Sequence, residues 1–274
     1  MQEHGLYGSE SMTWRVASEA ALTLGGSRAI LMQLAHPLVA AGVSAHSRYM
    51  HDPFGRAEST FLLGQMLTFG STRMVRQAAQ RINRLHTHVH GTLPLRAGVY
   101  THGATYDARD PELLLWVHAT LIDTILLSYP LFFRPLSLAE QEQYYQESKS
   151  MVRLLGLSAR AMPATVQDLR DYVHTMVYNN HLAATPQARQ LARVVLFPPA
   201  SWTLHPLLHF NLLLTCGLLP QPVRELYDLH WDDKRQHVFE LATAGLRATL
   251  PHLPPSLRVL PVTRRLMQTG TLTP

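Results

Sequence analysis

Apolar residues recur at every third or fourth position through most of this chain, which is the period of an α-helix buried on one face. Residues 72–89 show the pattern most clearly, because Val75, Ala79, Ile82 and His86 fall on one side of a helix. No stretch alternates apolar and polar residues between hairpin turns, and no segment repeats at a fixed period. The sequence therefore predicts an all-α, multi-helix globular domain.

Capping residues and helix breakers set the boundaries of the predicted helices. Ser11 is placed as the N-cap of the first helix and Asp110 as that of a long, mostly buried helix, while Ser137 and Glu140 have the spacing of a capping box. Residues 50–53 and 94–110 are predicted to be irregular. The predicted helices are 11–24, 27–39, 54–69, 72–89, 110–133, 137–156, 164–179, 185–196, 201–216, 220–229 and 231–250.

The whole chain, residues 1–274, is predicted to form a single domain. Hydrophobic residues make up 46% of it and charged residues 16%, a balance that is typical of globular proteins and argues against disorder. Two proline pairs, at 198–199 and 254–255, interrupt the pattern. Helical hydrophobic spacing resumes directly after each pair, so neither pair is expected to be a domain linker.

The charge distribution argues against nucleic-acid binding. The formal net charge is +5, but the positive residues are mostly arginines scattered along the chain, and Lys149 and Lys234 are the only lysines. A nucleic-acid-binding surface usually concentrates basic residues in one stripe with aromatic residues between them. The densest basic segment, 258–265, is short and is interrupted by Leu260 and Pro261.

Cysteine usage and the first residues bear on the compartment. Cys216 is the only cysteine, so no disulfide within the chain and no thiolate-rich metal site can form. The first ten residues lack the cationic start and apolar stretch of a secretory signal. We therefore expect a cytoplasmic protein.

Two apolar segments come near the length of a membrane span. Residues 113–133 include His118, Asp123 and Pro130, and residues 202–219 include two histidines and an asparagine. These polar side chains would be costly in hydrocarbon without partners. Both segments are interpreted as buried helices of a globular core, and no membrane anchor is expected.

The candidate functional site consists of Arg56, Thr60 and His86. Arg56 and Thr60 are four residues apart and share one helix face, and a histidine on the next helix can reach the same cavity from the opposite wall. The alternative is an ordinary structural role: a core histidine, an arginine paired with Glu58 or Asp52, and a threonine bonded to its own helix.

Several segments resemble one known family. They are 33–43 (QLAHPLVAAGV), 52–60 (DPFGRAEST), 83–91 (NRLHTHVHG) and 110–121 (DPELLLWVHATL), followed by a tyrosine pair at 144–145. In this order they resemble the DUF2236 family, which includes MpaB-like oxygenases and the catalytic domain of latex-clearing rubber oxygenases. The resemblance covers about residues 10–180, and residues 181–274 are expected to form a helical C-terminal extension.

The resemblance implies a haem b-dependent oxygenase with a globin-like helical core around a haem pocket. His86 lies where the family has its axial iron ligand, and Arg56 and Thr60 lie where its distal pocket is expected. His118, in the last of the similar segments, is a further candidate for lining the cofactor. The implied partners are dioxygen and a small apolar substrate of alkene or isoprenoid type, with an electron donor as a further option.

The chain departs from the rubber-cleaving branch at two positions. That branch has a lysine directly before the threonine and a glutamate upstream, whereas this chain has Ser59 at the first position. Between His36 and Arg56 its only acidic residue is Asp52. The sequence therefore does not predict rubber cleavage by that mechanism.

Two other functions remain open from the sequence. A non-catalytic haem-binding or gas-sensing protein would share His86 but would have no substrate channel. A non-haem metal protein would use His86 with His90, because two histidines four apart on a helix can clamp zinc. The histidine-rich segment 86–90 also leaves open whether His88 or His90 takes the place of His86.

Overall fold

The computed structural model describes residues 5–272 and confirms the all-α prediction. Within that range the helices are α1 Met12–Ala17, α2 Gly26–Leu34, α3 Pro37–His46, α4 Pro53–Phe69, α5 Thr72–His86, α6 Pro111–Phe132, α7 Leu138–Leu154, α8 Val166–Tyr178, α9 Pro186–Leu196, α10 His205–Leu218, α11 Gln221–Leu226, α12 Asp233–Thr249, α13 Pro255–Arg258 and α14 Pro261–Thr269. A two-stranded antiparallel hairpin, β1 His90–Thr92 and β2 Thr105–Asp107, separates α5 from α6.

The predicted helix starts are confirmed where a capping side chain marks them. The Ser11 hydroxyl accepts a hydrogen bond from the Trp14 N–H, and the Asp110 carboxylate accepts one from the Glu112 N–H. Ser137 and Glu140 make both hydrogen bonds of a capping box. Each cap satisfies backbone donors that the first helical turn leaves unpaired.

Other predicted boundaries are wrong. The predicted helix 27–39 crosses Pro37, whereas the structure ends α2 at Leu34 and places Pro37 in the first turn of α3. The first predicted helix also breaks, because α1 ends at Ala17 and a 3₁₀ segment covers Ala20–Gly25. Helix α5 ends at His86, three residues before the predicted end, and the strands and the helices α13 and α14 were not predicted.

Helix α6 lies at the centre of the main hydrophobic core. Trp116, Ala119 and Phe132 on this helix are fully buried. The core around them also includes Leu31 of α2 and Leu214 of α10. It therefore draws on helices from both the family-like region and the predicted C-terminal extension.

A buried arginine ties three of these helices together. Arg28 of α2 is 2% exposed, and its guanidinium donates to the Asp123 carboxylate at 2.6 Å and to the Thr124 hydroxyl at 2.5 Å, both on α6. Its Nε donates to the Leu218 carbonyl at the end of α10 at 2.9 Å. A charge this deeply buried is tolerated because its donors are paired.

Among residues 5–272, α6 is the one helix that is long and apolar enough by itself to cross a membrane. The bent pair Ala20–Leu34 and Pro37–His46 passes the same test of length and composition when it is counted as one span. In α6, 56% of the apolar window is buried inside the structure.

Arg28→Met should lower the free energy of unfolding by about 3 to 5 kcal/mol, because it leaves the Asp123 carboxylate and a helix-end carbonyl without their donor. Urea unfolding followed by circular dichroism measures the change. The control is Arg235→Met, which removes an exposed ion pair with Asp232 and should cost less than about 1 kcal/mol. Equal small effects of both substitutions would contradict a central role for Arg28.

The stability of the fold should also fall in acid because of His118. Burial lowers the pKa of His118 from 6.5 to about 4, so the folded protein keeps this ring neutral while the unfolded chain takes up a proton. Stability present above about pH 6.5 is therefore lost as the pH falls towards 4, by up to about 3 kcal/mol. Urea unfolding of His118→Gln at several pH values should show a shallower loss, whereas the exposed His237→Gln should keep the wild-type slope.

Candidate functional site

The first turns of α4 present one polar face. The Asp52 carboxylate caps the helix by accepting the Gly55 N–H at 2.9 Å. Arg56, Thr60 and Gly64 then follow one another at intervals of one turn. A Cβ added at Gly64 would meet nothing within 4 Å, so this face borders open space beside Thr60.

Arg56 is held in place by neutral partners. Its Nε donates to the Ser47 hydroxyl at 3.2 Å, and its guanidinium donates to the Thr60 hydroxyl. The Thr60 hydroxyl in turn donates to the Arg56 carbonyl at 2.9 Å. None of the ion pairs in residues 5–272 includes Arg56, so the alternative pairing with Glu58 or Asp52 is absent from the described part of the chain.

Burial lowers the pKa of the half-buried Arg56 guanidinium, and the nearby Tyr49 opposes that shift. An arginine begins from so high a pKa that it stays charged at neutral pH. The site therefore contains a cation that is partly removed from water and has no carboxylate partner. Such a group has a strong electrostatic preference for an anion or for developing negative charge.

His86 is the last residue of α5 and is half-buried. Its Nδ1 is buried and has no hydrogen-bond partner among the described residues. Burial lowers the pKa of His86, Asp107 raises it and Arg56 lowers it further. Because the charge of Arg56 lowers the pKa of His86, the structure brings Arg56 and His86 into one electrostatic neighbourhood. The imidazole is neutral at neutral pH and has a nitrogen available for a ligand.

The spacing required for a His86 and His90 metal clamp is not present. Helix α5 ends at His86, with Thr87 as its C-cap, and His90 belongs to strand β1, so these two histidines do not share a helix face. His88 and His90 are both exposed. Within residues 5–272, no group of three or more His, Cys, Asp or Glu side chains is arranged to hold a metal ion.

His118 of α6 faces α7. It is 3% exposed, its Nε2 lies 3.3 Å from the Ser148 hydroxyl, and Lys149 is its electrostatic neighbour. His36 is a second buried histidine, with its Nε2 at 3.0 Å from the Tyr100 hydroxyl. The hydrogen-bond partner of His118 is thus on α7, whereas the charged groups that shift the pKa of His86 are on α4 and β2.

Sequence reasoning missed three residues around the site. Ser47 and Tyr49 come from the turn before α4 and touch or influence Arg56. Asp107 reaches the neighbourhood of His86 because β2 pairs with β1, where His90 is opposite Asp107. Strands of three residues have no pattern long enough to reveal this pairing in the sequence.

Comparison with known proteins places the chain among relatives from mycobacteria. It is 26% identical over 234 residues to two proteins described as uncharacterized, one from Mycobacterium bovis and one from Mycobacterium tuberculosis. Each alignment covers 81% of this chain and 88% of the relative. No solved structure matches the chain.

A family model matches residues 14–248 and thus extends well beyond residue 180, into the predicted C-terminal extension. The matched region contains α4, α5, the hairpin and α6, so the Arg56 and His86 site lies inside it. That family model describes the catalytic domain of oxygenases. This chain therefore belongs to the family of the ER-bound oxygenase mpaB/B' and rubber oxygenase catalytic domain.

Proposed function

We propose that the protein is a haem b-dependent oxygenase that acts with dioxygen on a small apolar substrate of alkene or isoprenoid type. The observation that carries the proposal is the buried, unpaired Nδ1 of His86 in the neighbourhood of Arg56, a cation without a carboxylate. An unpaired polar atom in the interior costs free energy unless a ligand satisfies it. Membership of an oxygenase family supports a ligand that takes part in oxygen chemistry.

The residues present fit a haem. A neutral imidazole is the protonation state that binds iron, and burial favours that state in His86. The Arg56 guanidinium suits a propionate carboxylate or the negative charge that develops on oxygen. When bound, the haem would supply the iron that activates dioxygen.

The side chains of this chain would then bind and orient. His86 would hold the iron through one ring nitrogen. Thr60 and Ser47 accept hydrogen bonds from Arg56 and keep its guanidinium on the open face of α4. Asp107, whose pKa is lowered to about 2 by its hydrogen bonds with Arg109, provides a fixed negative charge that partly offsets the influence of Arg56 on His86. The apolar side chains between α4 and α5 would exclude water from the substrate.

The proposal does not include the mechanism of the rubber-cleaving branch. Ser59 stands directly before Thr60 and is too short to reach across a pocket as a lysine can. Asp52 is engaged as the N-cap of α4, so its carboxylate is already used by the Gly55 N–H. An open cofactor site without an internal lysine is therefore expected.

We further propose that the enzyme works in the cytoplasm and draws on an electron donor there. Helix α6 supports this proposal, because its Trp116 and Thr120 are fully buried in the core, as in a helix packed within a globular protein and not in a membrane span. Burial raises the pKa of the Cys216 thiol to about 11, so this thiol stays protonated at the neutral pH of the cytoplasm.

Protein produced with an ample haem supply should show a Soret band that shifts on reduction with dithionite, and His86→Ala should abolish it. The control is His88→Ala, which alters an exposed histidine two residues away and should keep the band. A wild-type protein that is folded but has no Soret band would refute the haem assignment. A band that survives His86→Ala would assign the axial ligand to another histidine.

Arg56→Gln should lower kcat for dioxygen consumption with an isoprenoid alkene such as farnesol by about 10²- to 10³-fold, because it removes positive charge from the reacting region. Thr60→Val should give a smaller loss, since it only releases the guanidinium. An oxygen electrode measures both variants against Arg84→Gln, an exposed residue on α5. Haem binding without any substrate-dependent oxygen uptake in the wild type would favour the gas-sensing alternative.

A further inference from the structure

A cavity of about 570 Å³ lies between α9, α10 and the segment 227–235, and it is separate from the oxygenase site. Its walls are mainly apolar and include Leu196, Leu212, Leu213, Leu229 and Trp231. Arg56, Thr60, His86 and His118 do not line it. Its volume is within the range of about 300 to 1,000 Å³ that small-molecule sites usually have.

The edge of this cavity is positively charged. Three arginines line it: Arg189 is paired with Asp228, and Arg235 is paired with Asp232. The third, Arg193, has no hydrogen bond or ion pair from its side chain among the described residues, and Asp228 is the single acid among the described residues that line the cavity. No aspartate or glutamate occurs in the sequence between Asp171 and Glu225. One uncompensated positive charge is therefore left at the mouth of an apolar chamber.

A second cavity lies next to the first. A neighbouring cavity of about 320 Å³ shares Phe197 and His209 with the first and is bordered by Pro198, Pro199 and Leu208. Phe197 stands between the two spaces and is 57% exposed. The larger cavity by itself is an apolar groove with a cation beside it, which matches an aliphatic chain with an anionic head.

We propose that this groove binds a long-chain carboxylate, with its head group at Arg193 and its aliphatic chain along Leu196, Leu213 and Trp231. A carboxylate has one negative charge, which equals the single unpaired arginine. A phosphate monoester has between one and a half and two negative charges at neutral pH and would leave excess charge beside Asp228. The Cys216 thiol, neutral because burial raises its pKa to about 11, adds a soft apolar surface to the wall.

The site is tested on the protein as purified, with any haem it has bound, by isothermal titration calorimetry with octanoate, decanoate and dodecanoate. Each added methylene group should tighten binding about fourfold as long as the chain stays inside the groove. Arg193→Gln should weaken decanoate binding by about tenfold and should leave decanol binding unchanged. Leu213→Trp, which fills the chamber, should weaken both ligands.

Matched controls are Arg160→Gln and Leu241→Trp, which alter exposed residues outside the groove and should bind as the wild type does. Contact with 11-bromoundecanoate should quench Trp231 fluorescence, and Trp231→Phe should remove that quenching. His86→Ala should retain full carboxylate binding, which separates this site from the oxygenase proposal. The inference is overturned by wild-type binding in Arg193→Gln, by tighter binding of dodecyl phosphate than of dodecanoate, or by loss of binding in His86→Ala.

Discussion

The packing of α2 against α6 is the constraint on which the remaining structure depends. Gly25, at the start of α2, approaches so closely that an added Cβ would lie 2.9 Å from the Ser128 hydroxyl and 2.9 Å from a Thr124 methyl group of α6. One turn further, Arg28 makes its buried contacts with Asp123, Thr124 and the end of α10. Because Gly25 has no side chain, α2 can approach α6 closely, and the hydrogen bonds of the Arg28 guanidinium then fix the position of α6 relative to α2.

The anchored α6 determines where the site can form. The hairpin β1 and β2 connects α5 to the start of α6, and Tyr106 of the hairpin packs on Gly42 of α3 at 3.5 Å from an added Cβ. This contact joins the hairpin, which directly follows α5, to α3. His86, the last residue of α5, is beside the first turns of α4, where Arg56 lies.

Three histidines differ in their burial and in the partners of their ring nitrogens. His36 and His118 are each 3% exposed, have their pKa lowered to about 4, and each has a hydroxyl partner. His86 is only half-buried, yet its Nδ1 is enclosed without a partner. Because the Nδ1 of His36 is also buried without a partner, His86 is distinguished by its lesser burial and by the nearby charges of Arg56 and Asp107 together with its unpaired nitrogen.

The sequence by itself determined the helical class, the capped helix starts and the residues of the candidate site. Helical periodicity and caps such as Ser137 with Glu140 are local properties, since they depend on residues within one or two turns. The spacing of Arg56 and Thr60 likewise needs only one helix. For this reason these features could be predicted without knowing any long-range contact.

The tertiary structure alone decided the rest. The end of α5 at His86, the short hairpin and the position of Asp107 depend on contacts between distant segments, which leave no periodic pattern in the sequence. The contact of His118 with Ser148 of α7 depends on which helices pack together. The apolar groove beside Arg193 arises between α9, α10 and residues 227–235, so no single segment encodes it. Local rules specify the elements, while burial and pairing across the fold decide which side chains meet.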